Sequence, residues 1–376
     1  LASVNQQLHE TQEALDALPK PGRVYAGTIH HGSGAFRGTG ANGGKPRTIH
    51  VLHRGDILQP RQLVSPGRIP TSPDDAWQFT LPDDHAEGQR RVALANWITN
   101  PHNPLTWRSI VNRVWQYHFG RGIVDTPNDF GRMGGMPSHP ELLDWLAVEF
   151  RDRDQSLKQL HRLIVTSSVY RQSSAHHEAN AAIDSGNRYL WRMNRRRLSA
   201  EEVRDAVLLV SGKLDKTMHG PAMRLFELER TEHSPHYEYH KHDPSKPESH
   251  RRSIYRFIVR SQPDPFMTTL DCADSSQSVP RRTETVTPLQ ALSLLNNRFM
   301  LVMAENFADR VAAETDAAAS DQHEVLQQQV RRAFRIVTGR RPSPSQTEAL
   351  VDYTGQYGLQ NTCRLLYNHN EFVFID

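Results

Sequence analysis

The sequence predicts a mainly α protein: a multi-helix domain with a small β element formed by N-terminal strands and one later strand. Three observations carry that prediction. Ser or Thr followed three residues later by Glu or Gln occurs five times ahead of an apolar-periodic run, at Ser138–Glu141, Ser156–Gln159, Ser199–Glu202, Thr287–Gln290 and Ser343–Gln346. In such a capping box each partner satisfies a backbone N–H that the start of a helix leaves open. Apolar residues also recur at helical spacing along both halves of the stretch from Asn103 to Phe150. Finally, β-branched, alternating segments are confined to residues 23–64 and 251–260.

Residues 1–18 read as the end of a helix with Leu8, Leu15 and Leu18 on one side, stopped by Pro19-Lys-Pro-Gly22. VYAGTIH and RTIHVLHRG follow as strands around a Gly-rich loop. Gly44-Lys45 in that loop lacks the glycine spacing and the Ser/Thr of a phosphate-binding loop, so a hairpin connection is expected. Residues 65–88 are Pro-rich and without period, an extended segment. Arg90–Thr99 is a helix ended by Asn100-Pro101. The next helix carries Trp107, Ile110, Val111, Val114, Trp115 and Phe119; a second, capped at Ser138, buries Leu142, Leu143, Trp145, Leu146 and Phe150. Ser156 starts a helix burying Leu157, Leu160, Leu163 and Ile164, and Ser199 one burying Val203, Ala206, Val207 and Val210, with Gly212 as its C-terminal cap. Residues 213–250 are polar and aperiodic, an insertion-like loop. RRSIYRFIVR, residues 251–260, reads as a strand to pair with the one near Ile49–His53.

Composition excludes several function classes. The two cysteines, Cys272 and Cys363, form no CxxC or CxxCH, which rules out a zinc finger or an attached c-type haem in these residues. Spacing does not decide whether the two pair. The longest apolar run, Phe299–Ala304, is too short to span a membrane. Arg supplies 38 of the 45 basic residues, but 42 acidic residues are interspersed and the net charge is only +3, which disfavours nucleic acid as a partner. The chain opens inside a helical pattern rather than with Met, so upstream domains of the same chain are expected as partners.

Several phrases resemble one family. NPLTWRSIVNRVWQYHFGRGIVDTPNDFG, HPELLDWLAVEF, LKQLHRLIVTSSVYRQSS, NRYLWRMNRRRLSAEEVRDAVL, RRSIYRFIVR, DCADSSQSVPRRTETVTPLQALSLLNNRF and LLYNHNEFVFID resemble, in order over residues 50–376, the planctomycete domain-of-unknown-function family 1553. The resemblance implies a periplasmic or cell-envelope protein. It also implies haem on an upstream cytochrome c domain, no cofactor within these residues, and a link to glycan processing. The domain organisation expected is 1–22 as the end of an upstream helix, 23–85 as a β-containing and Pro-rich extended segment, and 86–376 as the helical domain with its loop insertion at 213–250.

No catalytic residue set comes with the resemblance, so candidates rest on chemistry. Guanidinium groups bind phosphate, sulfate or carboxylate in a planar fork, which makes Arg195-Arg196-Arg197 with Arg204, and Arg281-Arg282, anion-clamp candidates. The bland alternative is ion pairing with Glu201 (four residues after Arg197), Asp205, Asp271 and Asp274. Asn112, Arg113, His118 and Asp129 complete the candidate set, which places a ligand between the two Arg clusters and the 112–129 connector. His118 is read as a histidine bonded to a neighbour before it is read as a general base. His139 helps shape a cap. The run holding His233, His236, His240, His242 and His250 has metal-ligand chemistry, with His236 and His240 four apart, yet its Pro and charged residues favour a solvated loop. No Gly-x-Ser-x-Gly elbow or paired-carboxylate motif stands out, and the tryptophans read as core apart from Trp77. The leading expectation is a non-catalytic interaction or scaffold module of a cytochrome-associated multidomain protein, with an envelope protein as partner. The rival is an enzyme or binding protein for glycans or their sulfate esters, with an Arg-lined anion site.

Overall fold

The structure, a computed structural model, describes residues 2–17, 48–71, 77–230, 234–315 and 321–375. The expected strand 24–30, the Gly-rich loop with Gly44-Lys45, and His233 lie outside these residues. The chain divides into two compact units, residues 1–106 and 107–376.

The first unit contains α1 (Ala2–Ala17), β1 (Ile49–His53), β2 (Asp56–Val64) and α2 (Glu87–Ile98). β1 and β2 pair antiparallel. They are joined by Arg54 and Gly55 at φ +50° and +82°, the left-handed pair that a two-residue turn needs to match strand twist.

The second unit opens with α3 (Pro104–Phe119, shared at its first turn with unit one), α4 (Pro140–Asp152), α5 (Leu157–Thr166) and α6 (Glu178–Ile183). After β3 (Arg196–Arg197) come α7 (Ala200–Val210), β4 (Glu227–Arg230), β5 (Pro235–Glu238) and α8 (Pro265–Thr269). The unit ends with α9 (Pro288–Asn296), α10 (Arg298–Glu314), α11 (Gln322–Thr338), α12 (Pro344–Tyr357), α13 (Leu359–Leu366), α14 (Asn370–Val373) and β6 (Phe374–Ile375). The fold is mainly α with small antiparallel strand pairs, as the capping signals and the confined alternation predict. Among the described residues no helix is long and apolar enough to cross a membrane.

Apolar residues gather in two clusters. One joins α3, α4 and α5 through Val111, Phe119, Leu146, Leu160 and Ile164. The other joins α7 to α10, α11 and α13 through Val203, Val207, Met300, Phe307, Phe334 and the fully buried Tyr367. The Tyr367 hydroxyl donates to the carbonyls of Val207 and Met303, both at 3.4 Å, so even its polar tip is served inside.

Four of the five caps form. Ser199, Thr287 and Ser343 make complete boxes, and Ser156 accepts from Gln159 N. Gly212 follows α7 at φ +76°, as a C-terminal cap requires. Ser138 does not cap. Its hydroxyl reaches the Ile123 carbonyl and His139 Nδ1, and α4 starts on Pro140 with His139 ahead of it. Trp145 is half exposed rather than buried. The α4 core stripe is Leu143, Leu146, Ala147 and Phe150, and two residues after Leu143 lies the opposite helix face. Leu157 is likewise exposed, in the first turn of α5.

Residues 251–260 are not a strand, and β1 pairs with β2 instead. Ser253–Tyr255 is a 3-10 turn, with single parallel bridges of Arg251 to Asp215 and Arg256 to Met223. The carbonyl of Arg251 accepts from Arg204 and the N–H of Ser253 donates to Asp205, so side chains from α7 take backbone groups a ladder would use. Residues 213–250 hold regular structure: β4 pairs with β5 from Glu227↔Glu238 to Arg230↔Pro235, and 3-10 turns follow at Tyr239–Lys241 and Pro247–Ser249. Cys272 and Cys363 are free thiols.

Candidate functional site

Two Arg-bearing segments far apart in sequence meet within the second unit, and each is tied in by the other's carboxylate. Arg196 and Arg197 sit on β3, held in place because this short strand pairs with β6 near the end of the chain (Arg196↔Ile375, Arg197↔Phe374). Arg197 is buried and donates to Asp271 at 2.9 Å and to the Thr285 carbonyl at 2.7 Å. In return Glu201 of α7 takes Arg282 at 2.7 Å. The expected Arg197–Glu201 pair, four residues apart, is therefore replaced by two long-range pairs.

Asp271, at φ +62°, gathers Thr285 N, Thr285 Oγ1 and Gln290 Nε2 as well as Arg197. Burial pushes its carboxyl up, but those hydrogen bonds and the Arg197 charge outweigh it and hold the group below the usual carboxylate range. Glu201 and Glu202 show the same balance. Burial raises both; Arg282 (for Glu201), and Ser199 N–H with Arg196 (for Glu202), bring them below the usual range. Arg196 grips Glu202 with both terminal nitrogens, 3.1 Å to Oε1.

The third wall is the C-terminal turn of α3. Gln116, Tyr117 and His118 lie there, and Gly120 at φ +75° ends the helix. His118 is half buried and bonded to His161 at 2.7 Å, with Tyr170 edge-on at 5.6 Å. Burial, then the neighbouring His161 and Arg196, lower its pKa, so the ring is neutral at neutral pH. Arg113 braces the loop with bonds to Asn128 Oδ1 at 2.6 Å and to the carbonyls of Pro127 and Pro280, both at 3.4 Å. Together these segments enclose a cleft of about 700 Å³.

Five candidates named from sequence line this cleft: His118, Arg196, Arg197, Arg281 and Arg282. Four do not. Asn112 is buried, clamping Val124 by both backbone groups (3.0 and 2.8 Å) around Gly122, where a Cβ would lie 2.4 Å from the Val124 carbonyl. Asp129 shapes its own loop by accepting from Gly131 N. Arg113 braces from behind, and Arg204 lines a different cavity. His236 and His240 both approach Glu238 (4.0 and 3.2 Å), on β5 and the turn after it. Among the described residues no group of three or more His, Cys, Asp or Glu converges to hold a metal ion.

Sequence reasoning missed Tyr117, Tyr170, Gln116, Glu202 and Glu284. Tyr117 carried a signal: it is a large aromatic residue off the apolar stripe of α3, and it is exposed in the cleft. Glu284 carried none. Among the described residues Arg281 and Glu284 make no hydrogen bond or ion pair, so these two charges face the cleft unspent. Gln116 is buried too, and its Oε1 has no partner. The cleft's ionic lining is balanced, with Arg196, Arg197, Arg281 and Arg282 against Glu202, Asp271, Asp274 and Glu284. Such a lining suits a polar ligand with one anionic group and several hydroxyls better than a polyanion.

A family model described as PSD1, Protein of unknown function (DUF1553), matches residues 90–354. The chain belongs to that family. The match spans α3 through most of α12, hence every side chain of the cleft. No curated protein and no solved structure matches the chain.

Proposed function

We propose that this family member binds an anionic glycan, carboxylated or sulfated, in the cleft between α3, β3 and the 271–287 loop. The observation that carries this reading is Arg281. Its guanidinium lines the cleft without a partner while Arg196, Arg197 and Arg282 are each committed to a carboxylate. Sugar hydroxyls would donate to Glu284 and to Gln116 Oε1, and Tyr117 offers a ring face for the apolar side of a pyranose. A concave, Arg-lined site containing His118 also fits a glycan- or sulfate-ester-processing enzyme, with the neutral His118, hydrogen-bonded to His161, able to accept a proton. The resemblance to exported, cytochrome-associated proteins supports an envelope glycan as the ligand.

A second reading, the interaction or scaffold module, is favoured by a different surface. Ile254, Phe257 and Ile258 are all exposed on one short segment of the second unit. Thermal-shift screening separates the two. Saturable stabilisation by a sulfated oligosaccharide, lost in Arg281→Ala and weakened in Arg196→Ala, supports the glycan site. Absence of stabilisation by sulfate, phosphate, sulfated oligosaccharides and divalent metals leaves the scaffold reading.

A further inference from the structure

A second cavity of about 300 Å³ lies elsewhere in unit two, where the 213–250 insertion meets the starts of α8 and α10. It shares no lining residue with the cleft. Its walls are apolar and partly aromatic: Leu225, Pro244, Pro265, Phe266 and Phe299, with Phe266 and Phe299 rings 5.8 Å apart. The volume is at the lower end of small-molecule sites, roughly 300–1,000 Å³.

Polar side chains also line it, and they are unevenly matched. Arg204 is only 3% exposed and lies over the Phe299 ring at 5.5 Å. Its terminal nitrogens donate to neutral acceptors, the carbonyls of Ser249 and Arg251 and the Ser253 hydroxyl. The carboxylate that pairs with it, Asp205, is 3.7 Å away and also accepts from Ser253 N. Burial accordingly pulls the Arg204 pKa down to about 10, a guanidinium still charged at neutral pH but poorly compensated. Asp264, the acidic residue of the lining, is committed to Arg256 at 3.5 Å and to the Phe266 N–H. His242 Nε2 is buried without a partner. Arg298 stands exposed in the lining, held among the described residues only by the His242 carbonyl at 3.4 Å and Asp243 at 3.9 Å.

An apolar pocket containing an undercompensated cation, an unpartnered ring nitrogen and a loosely held second guanidinium calls for a compact apolar body ending in a carboxylate. We infer that this cavity is a binding site for a small aryl or arylalkyl carboxylic acid, separate from the glycan cleft. The apolar body fills the space between Phe266, Phe299 and Leu225, and the carboxylate faces Arg298 and His242. This inference does not depend on the glycan reading.

The test is titration of the full chain with phenylacetate and with its uncharged counterpart 2-phenylethanol, followed by calorimetry and ligand-detected NMR. Phenylacetate is expected to bind saturably and about tenfold more tightly than the alcohol. Leu225→Trp, which fills the cavity, should abolish binding; Arg298→Gln, at an exposed position, should weaken it by roughly fivefold without changing the fold. Arg281→Ala in the cleft should leave it unchanged. The inference is overturned by no saturable binding up to about 10 mM, by equal binding of acid and alcohol, or by an Arg298→Gln variant that binds like the parent.

Discussion

The cleft and the second cavity each contain a buried arginine, and the two are handled in opposite ways. Arg197 donates at 2.9 Å to a carboxylate that four donors converge on, whereas Arg204 donates to carbonyls and a hydroxyl and has its carboxylate, Asp205, only at 3.7 Å. In the cleft, most of the charge is spent on ion pairs within the site, and what remains for a ligand is Arg281 and Glu284. In the cavity there is less charge, but less of it is neutralised. Counting arginines therefore says little about anion binding; what matters is which guanidinium lacks a carboxylate.

The largest effect should come from the joint itself. Asp271→Asn removes the charge opposite buried Arg197 and should cost roughly 3–5 kcal/mol in denaturant unfolding. Arg204→Met leaves two carbonyls unpaired and deprives Asp205 of a loose 3.7 Å partner while Asp205 keeps its Ser253 N–H bond, and should cost less, about 1–3 kcal/mol. An Arg204→Met variant as damaging as Asp271→Asn would erase the contrast between the two regions.

Acid should act on the same joint. Asp271, Glu201 and Glu202 all have folded pKa values below their unfolded ones, so their contribution is complete above the unfolded values, near 4, and is lost as pH falls through the lowered ones. The melting temperature followed from pH 6 to pH 3 (roughly the carboxylate range) should drop at the acid end, and less steeply in Asp271→Asn. His118 adds a smaller loss at higher pH. Its folded pKa is depressed, so protonation favours the unfolded chain as pH falls below about 6.5.

The peripheral pair should matter little. Glu201→Gln breaks a part-exposed bond to Arg282 and should cost about 1 kcal/mol or less. Arg281→Ala, which removes no partner, should change stability by less than about 0.5 kcal/mol.

Much of the helical framework was legible because capping is local chemistry: Ser199, Thr287 and Ser343 reach only three residues ahead. The meeting of the two Arg clusters was legible as a place but not as a wiring diagram. Arg197 and Asp271 are 74 residues apart, and Arg282 and Glu201 are 81 apart, so no local spacing could assign those partners or single out Arg281. Residues 251–260 misled for a related reason. Their alternation is real, but the α7 side chains Arg204 and Asp205 take up backbone groups that a strand would have needed. Asn112 looked chemical as a polar residue on α3 and Asp129 as one in the Gly-rich connector after it; both hold that connector's backbone together instead.

The most direct test is calorimetric titration of the full chain and its Arg281→Ala variant with a monosulfated disaccharide and its desulfated counterpart. The account predicts one saturable site in the parent, at least about tenfold weaker in Arg281→Ala and for the desulfated sugar, with melting temperatures unchanged. Equal affinity of parent and variant would contradict it.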